Sequence, residues 1–503
     1  MPQANKVQLI TYADRLAGDL PGLGRLLGTP ELAGAFGGVH ILPFFTPYDG
    51  ADAGFDPADH TAVDPRLGTW DDVRDIAADH DVVVDLIVNH VSADSPQFRD
   101  VVARGDASEY AGLFLTMSSV FPSGATEEQL TAIYRPRPGL PFTPIRLGDR
   151  LRYVWTTFTP QQIDIDVHSD AGRAYLTSIL DAVAGAGVTL VRLDAVGYGV
   201  KTPGTSCFMT PQTFTFIEEF TAQARERGVD VLVEVHSHYE KQIEIGRSVD
   251  LVYDFALPPL VLHALYTGDG SVLAHWMDIR PRNAVTVLDT HDGIGVVDVG
   301  PEQNAAPGVE PRPGLLTPEQ VDQLVEGIHE HSGGTSRLAT GAAASNVDLY
   351  QVNCTFYDAL GRDDARYLAA RAIQFFTPGI PQVYYVGALA GENDVDLLAR
   401  TEVGRDINRH HYTPGEVAEA LERPVVAALL ALSRFRNEHP AFDGEVEASV
   451  DGSRLVMVRR GVAVPEASAT LEVDLATGAA SIAWDGREGA GRTEDLLEQP
   501  PRA

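Results

Sequence analysis

The stretch DVVVDLIVNH, residues Asp81–His90, is an apolar run that ends in polar side chains, and three later stretches repeat this pattern. They are GVTLVRLDAVG (Gly187–Gly197), VDVLVEVH (Val229–His236) and VTVLDTHDG (Val285–Gly293). Strands of a parallel sheet covered on both faces read as such continuous apolar runs. In a (β/α)8 barrel the catalytic groups lie at the carboxyl ends of several strands. Polar clusters at four predicted strand ends therefore indicate an enzyme.

Eight strand candidates follow one another along the chain, and helical periodicity lies between most of them. The predicted strands are Val7–Tyr12, Gly38–Leu42, Asp81–Asn89, Thr189–Asp194, Val231–Glu234, Val249–Tyr253, Ala284–Asp289 and Ile380–Tyr385. The predicted helices are Asp71–Ala78, Ala171–Ala186, Pro211–Arg227, Pro258–Leu265 and Ala365–Phe376. This alternation favours an α/β chain with a (β/α)8 TIM barrel over a sandwich. A doubly wound sheet is the alternative, but polar residues at many strand ends suit a closed barrel better.

Two connections are far longer than the usual two to six residues or so. Residues 91–167, rich in aromatic side chains and proline, are predicted to form an inserted subdomain after the third strand. Residues 293–360 form a loop-rich region after the seventh strand, in which we expect a mobile loop at the acceptor site. Short alternating segments predict an antiparallel C-terminal β domain over residues 436–503. The barrel itself is assigned residues 1–90, 168–292 and 361–435.

The chain of 503 residues is strongly acidic, with a net charge of −33 from 38 basic and 71 acidic residues. A nucleic-acid partner or an anionic membrane surface is therefore not expected. An anionic substrate would need a local cluster of arginines, because the overall field of the protein repels it. The simplest interpretation of the charge is a solvated acidic surface.

The two cysteines, Cys207 and Cys354, are too few for a disulfide framework and fit a reducing compartment or two buried small side chains. The N-terminal residues lack a basic segment followed by a long apolar stretch, so neither a signal peptide nor a membrane span is expected. We therefore expect a cytoplasmic location.

Two carboxylates stand out as candidates for catalysis. Arg192 and Asp194 are two residues apart on a strand, so their side chains point to the same face, which in a barrel is the lumen. The guanidinium would lower the pKa of Asp194 and keep it ionised, as a nucleophile requires. Glu234 follows an apolar run, where burial would raise its pKa, and such a pair can supply a nucleophile and an acid/base. Each residue taken alone could instead belong to a structural ion pair. A purely structural explanation would, however, require polar clusters at four strand ends to occur together by coincidence.

The segments VDLIVNH, VRLDAVG, VEVH and LDTHDG resemble the four signature segments of the α-amylase clan of retaining glycoside-active enzymes. Nearly the whole chain is also similar to the sucrose phosphorylases of bifidobacterial type. The stretches that carry this likeness are PFFTPYDGADAGFDPADHT, YRPRPGLPFT, FTPQQIDID, RLDAVGYG, TSCFMTP, VYDFALPPLVLHAL, THDGIGV, ASNVDLYQVN, VYYVGALAG and GRDINRH. The short motifs specify only the clan, whereas the longer stretches are specific to the phosphorylase branch.

The resemblance implies a reversible, retaining phosphorolysis of sucrose to α-D-glucose 1-phosphate and fructose through a covalent β-glucosyl-enzyme. It implies Asp194 as nucleophile, Glu234 as acid/base and Asp292 as the carboxylate that stabilises the transition state. The implied substrate-binding residues are Asp52, Phe55, His90, Phe158, Gln162, Arg192, Tyr198, His236, His291, Asp348, Gln351 and Arg405. The implied phosphate ligands are Arg137 and Tyr350. Relatives of this kind also suggest a homodimer.

The segment Arg135–Pro138 has a physical reason to bind phosphate, because each arginine precedes a proline and is biased to an extended backbone that presents a rigid guanidinium. A solvent-exposed turn is the alternative for this segment taken alone. Asp348 and Tyr350 share one loop, which suggests that an acidic group must leave before phosphate enters. Val347 and His411 replace the leucine and tyrosine usual in relatives, so acceptor preference is the open point.

Other candidate signals do not support a site. GLGRLLG (Gly22–Gly28) lacks the GxGxxG spacing and a preceding strand, so no dinucleotide site is expected. The histidine pairs at 329 and 331 and at 410 and 411 have no companion ligands, so no metal and no cofactor are expected. The resemblance to the phosphorylase branch implies no structural calcium, and the sequence has no dense acidic loop that would suggest one. Three functions stay open. The first is a sucrose phosphorylase; the second is a phosphorylase of sucrose 6′-phosphate, glucosylglycerol or glucosylglycerate, or an α-transglucosidase or hydrolase of the same clan; the third is a non-catalytic barrel. Retention of all three carboxylates speaks against the last.

Overall fold

Eight parallel strands close into a barrel in the computed structural model, which describes residues 3–50, 52–303, 310–340, 351–486 and 489–501. Each strand pairs with the next in chain order, and the eighth pairs with the first. Every barrel strand overlaps one of the segments predicted from the sequence, so the predicted TIM barrel is confirmed. From first to eighth, the barrel strands are Gln8–Thr11, Gly38–Ile41, Asp81–Ile87, Leu190–Asp194, Asp230–Val233, Leu251–Asp254, Ala284–Thr286 and Ile380–Tyr384.

Helices connect the strands and cover the outside of the barrel. Two of the longest begin at side-chain caps: Ser169 accepts a hydrogen bond from the amide of Gly172, and Thr210 from that of Thr213. None of the helices among the described residues is long and apolar enough to cross a membrane. The helices are Ala13–Ala17, Leu20–Leu27, Trp70–Ala77, Pro96–Arg104, Met117–Val120, Glu127–Thr131, Asp170–Gly185, Pro211–Arg225, Tyr239–Ile245, Leu257–Thr267, Ser271–Ile279, Pro318–His331, Phe356–Ala359, Asp364–Phe376, Tyr385–Ala388, Val395–Thr401, Pro414–Leu421 and Pro424–Glu438.

Small two-stranded sheets stand on the carboxyl ends of the barrel strands. In the long connection after the third strand, Phe142–Leu147 pairs with Arg150–Trp155, and a separate core packs around Trp155. In the connection after the seventh strand, Ile294–Gly295 pairs with Gln351–Val352 and so returns the chain to the barrel mouth. The two remaining pairs join Phe45–Thr46 to Asp59–Val63 and His90–Ser92 to Gln162–Asp164.

A separate antiparallel sheet of five strands follows the barrel, as the alternating pattern predicts. Its strands are Val446–Asp451, Arg454–Arg460, Ser468–Asp474, Ala480–Asp485 and Gly491–Thr493. The sequence pattern predicted the middle three, at Arg454–Arg459, Thr470–Leu475 and Ser481–Trp484. It missed the first, although the residues of Val446–Asp451 alternate between apolar and polar, and the last, because three residues are too short for a periodicity.

A buried ion pair joins the sixth strand, the end of the helix Ser271–Ile279 and the segment before the eighth strand. Asp254, at the end of the sixth strand, accepts hydrogen bonds from Arg280 (2.7 Å) and from the indole of Trp276 (2.9 Å). Arg280 also donates to the carbonyl of Pro378 at 2.7 Å, just before the eighth strand. Because both charged side chains are fully buried, removal of either would leave an uncompensated charge.

We expect Arg280→Ala to lower the free energy of unfolding by about 3–5 kcal/mol, the usual effect of breaking a buried pair. Arg282→Ala is the matched control, because Arg282 pairs with Glu445 at the surface, and its loss should cost less than about 1 kcal/mol. Urea denaturation followed by tryptophan fluorescence measures both variants. Equal midpoints for the two variants would contradict the structural role of Arg280.

Candidate active site

A pocket opens at the carboxyl ends of the barrel strands. All the site residues predicted from the sequence line this pocket, apart from three. Arg192 lies beneath the floor, where it contacts Asp194 and Glu234, and Asp348 and Tyr350 lie outside the described residues. The lining residues are Asp52, Phe55, His90, Pro136, Arg137, Phe158, Gln162, Asp194, Ala195, Gly197, Tyr198, Phe208, Glu234, Val235, His236, His291, Asp292, Gln351 and Arg405.

Arg192 is a buried cation shared by three carboxylates. Its Nη2 lies 2.6 Å from Glu234, and its Nη1 lies 3.1 Å from Asp194 and also contacts Asp85. Asp85, on the third strand, in turn binds the Nε2 of His40 at 3.1 Å. Burial would raise the pKa of Asp85, but Arg192 and His40 outweigh it and lower that pKa to about 2. The floor of the pocket is thus a network of paired charges.

Arg192 acts to lower the pKa of Asp194, as the sequence predicts, but it does not keep this carboxyl ionised as expected, because the net shift is upward. Burial, followed by the charge of Glu234, raises the pKa of Asp194 well above its usual value, although Arg192 opposes the shift. The physical reason is that the guanidinium is divided among three carboxylates and makes a shorter contact with Glu234 than with Asp194. Asp194 therefore retains its proton to a higher pH than an isolated aspartate would.

Asp292 has the opposite environment. Arg405 approaches one of its oxygens at 3.0 Å and Arg409 at 3.6 Å. Burial would raise the pKa of Asp292, but Arg405, His291 and Arg409 together hold it well below its usual value. The side chain of Asn353 donates to the backbone carbonyl of Asp292 at 2.9 Å and fixes this turn. Asp292 is therefore a permanently ionised carboxylate facing the pocket.

Aromatic and neutral histidine rings form the walls near the carboxylates. The ring of Phe55 stacks on that of His291, with centroids 4.7 Å apart. The Nε2 of His90 donates to the carbonyl of Phe55 at 2.9 Å, and Phe158 packs against His90 edge to face. Burial lowers the pKa of His90 and of His291. Both imidazoles are neutral near pH 7 and suited to hydrogen bonds with hydroxyl groups.

Cations lie on the outer side of the pocket. Burial, with a contribution from Arg405, lowers the pKa of Arg137 to about 10, so Arg137 remains charged at neutral pH. Arg405 lies between Asp292 (3.0 Å) and Asp52 (3.6 Å). Two guanidinium groups thus line the pocket despite the acidic net charge of the chain.

Several residues of the site escaped the sequence analysis. Asp85 and His40 carry the charge network below Arg192, and Asp85 had a visible signal as a lone charge inside an apolar run. Arg409, whose Nε donates to the carbonyl of His291 at 2.8 Å, comes from a loop far along the chain and had none. Ala195, next to Asp194, has a left-handed backbone with φ of 52°, a strained conformation that no side-chain pattern reveals.

Glu234, His236 and Asp292 place potential ligand atoms within 4.8 Å of one another, and they are the group among the described residues that could hold a metal ion. Arginines already approach both carboxylates, at 2.6 Å for Glu234 and 3.0 Å for Asp292. A bound cation would compete with these charges, so we assign no metal to the site.

Comparison with known proteins matches residues 15–259 to the family described as "Alpha amylase, catalytic domain". The chain is 56% identical over 99% of its length to the sucrose phosphorylase of Bifidobacterium adolescentis, of which it covers 99%. It is 61% identical over 89% of its length to the sucrose phosphorylase of Agrobacterium vitis, of which it covers 91%. The crystal structure of the sucrose 6F-phosphate phosphorylase from Thermoanaerobacter thermosaccharolyticum superposes with a TM-score of 0.88 at 37% identity, with 98% of each chain covered.

We expect Arg192→Met to make stability fall more steeply with rising pH. Without its cation, the buried carboxyl groups of Asp85 and Asp194 should have higher pKa values in the folded protein than in the unfolded chain, because burial raises them and Arg192 no longer opposes the shift. Such groups take up protons on folding, so their contribution to stability is present at low pH and is lost as pH rises through the folded pKa. The melting temperature of the variant should therefore rise as pH is lowered from about 8 to about 5, where carboxyl protonation begins.

Thermal unfolding across this pH range measures the effect, with Arg173→Met as the control at an exposed arginine. Parallel curves for the wild type and Arg192→Met would contradict the role of Arg192 as the shared counter-ion.

Proposed function

The chain belongs to the α-amylase family and, within it, to the sucrose phosphorylases and their relatives, and on this basis we propose that it catalyses the reversible phosphorolysis of sucrose to α-D-glucose 1-phosphate and D-fructose. High identity to two sucrose phosphorylases over nearly the whole chain supports this activity. The observation that carries the proposal is a single pocket that contains three carboxylates together with Arg137 and Arg405. The carboxylates suit glucosyl transfer, and the arginines suit an anionic acceptor.

In the first step, an oxygen of Asp194 attacks the anomeric carbon of the glucosyl unit. The bond from this carbon to the fructosyl oxygen breaks, and Glu234 gives its proton to that oxygen. Asp292, ionised and held by Arg405, strengthens its hydrogen bonds to the sugar as positive charge develops on the ring. The product of the step is a covalent β-glucosyl-enzyme and free fructose.

In the second step, Glu234 accepts a proton from phosphate while a phosphate oxygen attacks the anomeric carbon from the face that fructose left. The bond to Asp194 breaks, and α-D-glucose 1-phosphate is released with net retention of configuration. The cycle needs one proton on the Asp194–Glu234 pair at its start, located on Glu234.

Phosphate reacts with the glucosyl-enzyme in place of water in the second step, because the outer pocket offers fixed cations. Arg137 and Arg405 are both charged and line the same side of the pocket. A guanidinium binds phosphate through parallel hydrogen bonds of favourable geometry. These two side chains supply locally the attraction that the net charge of −33 would otherwise oppose.

The test is to incubate the purified protein with sucrose, with and without inorganic phosphate, and to follow glucose 1-phosphate, glucose and fructose separately. We expect glucose 1-phosphate to match fructose when phosphate is present. Free glucose at equal rates in both reactions would reject a phosphorylase. No reaction with sucrose but turnover of sucrose 6′-phosphate, glucosylglycerol or glucosylglycerate would assign the related activity. Asp194→Asn should remove every product, and substantial remaining turnover would reject Asp194 as the nucleophile.

We expect Arg137→Ala to raise the KM for phosphate by about 10-fold or more, since a hydrogen bond to a charged group contributes about 1.5–3 kcal/mol. The rapid first release of fructose should change little, because it precedes phosphate binding. Arg146→Ala is the control, because Arg146 is an exposed arginine in the same connection after the third strand. An unchanged phosphate response in Arg137→Ala would reject Arg137 as a phosphate ligand.

We infer a cytoplasmic location from the buried, unpaired cysteines Cys207 and Cys354, which fit a reducing compartment. The homodimer that the resemblance implies stays a prediction, which light scattering of the purified protein tests.

A further inference from the structure

We propose that Asp298 is a positioning residue for the phosphate step, because it holds the imidazole of His236 in one tautomer and in its charged form beside Glu234. This inference rests on the proposed function. It assigns a role in the pH range of phosphate use to a residue that does not line the pocket.

Asp298 is a completely buried carboxylate with three donors around it. One of its oxygens lies 2.9 Å from the Nδ1 of His236. The other accepts from the backbone amide of Ser237 at 3.1 Å and from the side chain of Gln242 at 2.8 Å. Because an ionised carboxylate only accepts hydrogen bonds, the Nδ1 of His236 must carry a hydrogen. Asp298 therefore decides which nitrogen of His236 faces the pocket.

The other nitrogen of His236 faces the reacting groups. Its Nε2 lies 4.0 Å from an oxygen of Glu234. The ring stacks on Phe255, with centroids 3.8 Å apart, which fixes its plane. An imidazole between two carboxylates is more stable in its protonated form than in its neutral form, because each of its two N–H groups then points to a negative charge.

The charged groups around His236 come from several elements. Glu234 lies on the same strand end, and Asp298 and Asp292 come from the loop after the seventh strand. Burial lowers the pKa of His236, but Asp298, with Glu234 and Asp292, outweighs it and raises that pKa. Arg137 and Arg405 line the same pocket and act in the opposite direction. The balance depends on Asp298, because it is the carboxylate in direct contact with the ring.

The backbone near this pair leaves no room for a side chain. A Cβ placed on Gly295 would lie 2.9 Å from an oxygen of Asp298 and 3.2 Å from the His236 ring. The backbone of the strand Ile294–Gly295 therefore packs directly against Asp298 and His236. The packing around the pair prevents the ring from turning away from Asp298.

The consequence is a pH-dependent cation at the point where phosphate meets Glu234. Protonated His236 adds a third positive charge to Arg137 and Arg405 and attracts the phosphate dianion. When His236 loses its proton at higher pH, Nε2 presents a lone pair to the incoming anion and opposes it. Asp298 keeps His236 charged to a higher pH and so extends the range of phosphate use upward.

The test uses Asp298→Asn, which keeps the shape of the side chain and removes its charge. An opposite charge in contact shifts a pKa by about 1–3 units, so the alkaline limb of kcat/KM for phosphate should move to lower pH by about 1 unit or more. The KM for phosphate at neutral pH should rise several-fold. The burst of fructose released without phosphate should stay within about two-fold of the wild type, because glucosylation precedes the anion.

Two controls separate this role from a loss of structure. Asp278→Asn changes an exposed aspartate and should leave the alkaline limb in place. In a His236→Asn background, Asp298→Asn should cause no further shift, because the titrating ring is gone. An unchanged alkaline limb in Asp298→Asn, or an equal shift in the His236→Asn background, would overturn the inference.

A measurement on the wild type does not depend on the variant folding. In protein with ¹⁵N-labelled histidine, the imidazole resonances absent from His236→Asn belong to His236. They should report a hydrogen on Nδ1 and a pKa above the usual value of about 6.5. A pKa below that value would overturn the inference. A wild type that shows no phosphate-dependent product would instead reject the proposed function, whatever the His236 resonances show.

Discussion

The site is built on one buried guanidinium. Arg192 is 3% exposed and lies against Asp85, Asp194 and Glu234, which come from three neighbouring strands of the barrel. Three carboxylates without a cation could not remain buried together, because each would lose its hydration and repel the others. The position of the two proposed reacting carboxylates therefore depends on Arg192, and Asp85 and His40 in turn hold Arg192 in place. The chemistry at the pocket floor therefore depends on Arg192, Asp85 and His40, none of which lines the pocket.

The three carboxylates of the pocket differ because their cations are distributed unequally. Asp292 has Arg405 and Arg409 close by and is ionised throughout the physiological range. Asp194 shares one guanidinium with two competitors, so its pKa is raised by burial and by Glu234. A retaining double displacement needs a stabilising carboxylate that stays ionised, and the arginines beside Asp292 supply this condition. The opposite pKa shifts of Asp194 and Asp292 thus follow from how Arg192, Arg405 and Arg409 are distributed among the carboxylates.

The loop after the seventh strand serves the pocket from two directions. Asp292 faces the proposed sugar site, and Asp298, six residues later, holds His236 from behind. Between them, Gly293 and Gly295 pass so close to other groups that a Cβ at either position would clash. A short, tightly packed segment therefore couples the carboxylate at the sugar site to the proposed cation at the acceptor site. The acidic net charge of the chain makes such local cations necessary wherever an anion must bind.

The sequence alone determined the barrel and the carboxylates, because both depend on local patterns. Apolar runs such as VVVDLIV and VTVLD mark strands buried on both faces, and the residues directly after them must surface at the barrel mouth. Asp194, Glu234 and Asp292 could therefore be named before any coordinates. The tertiary structure decided their charges and their supports. The pKa of Asp194 depends on how closely Arg192 approaches Glu234 and Asp85, and the contacts of Arg409 and Asp298 join residues far apart in the chain. Electrostatic energies vary with distance and burial in three dimensions, and neither is encoded in the spacing of residues along a strand.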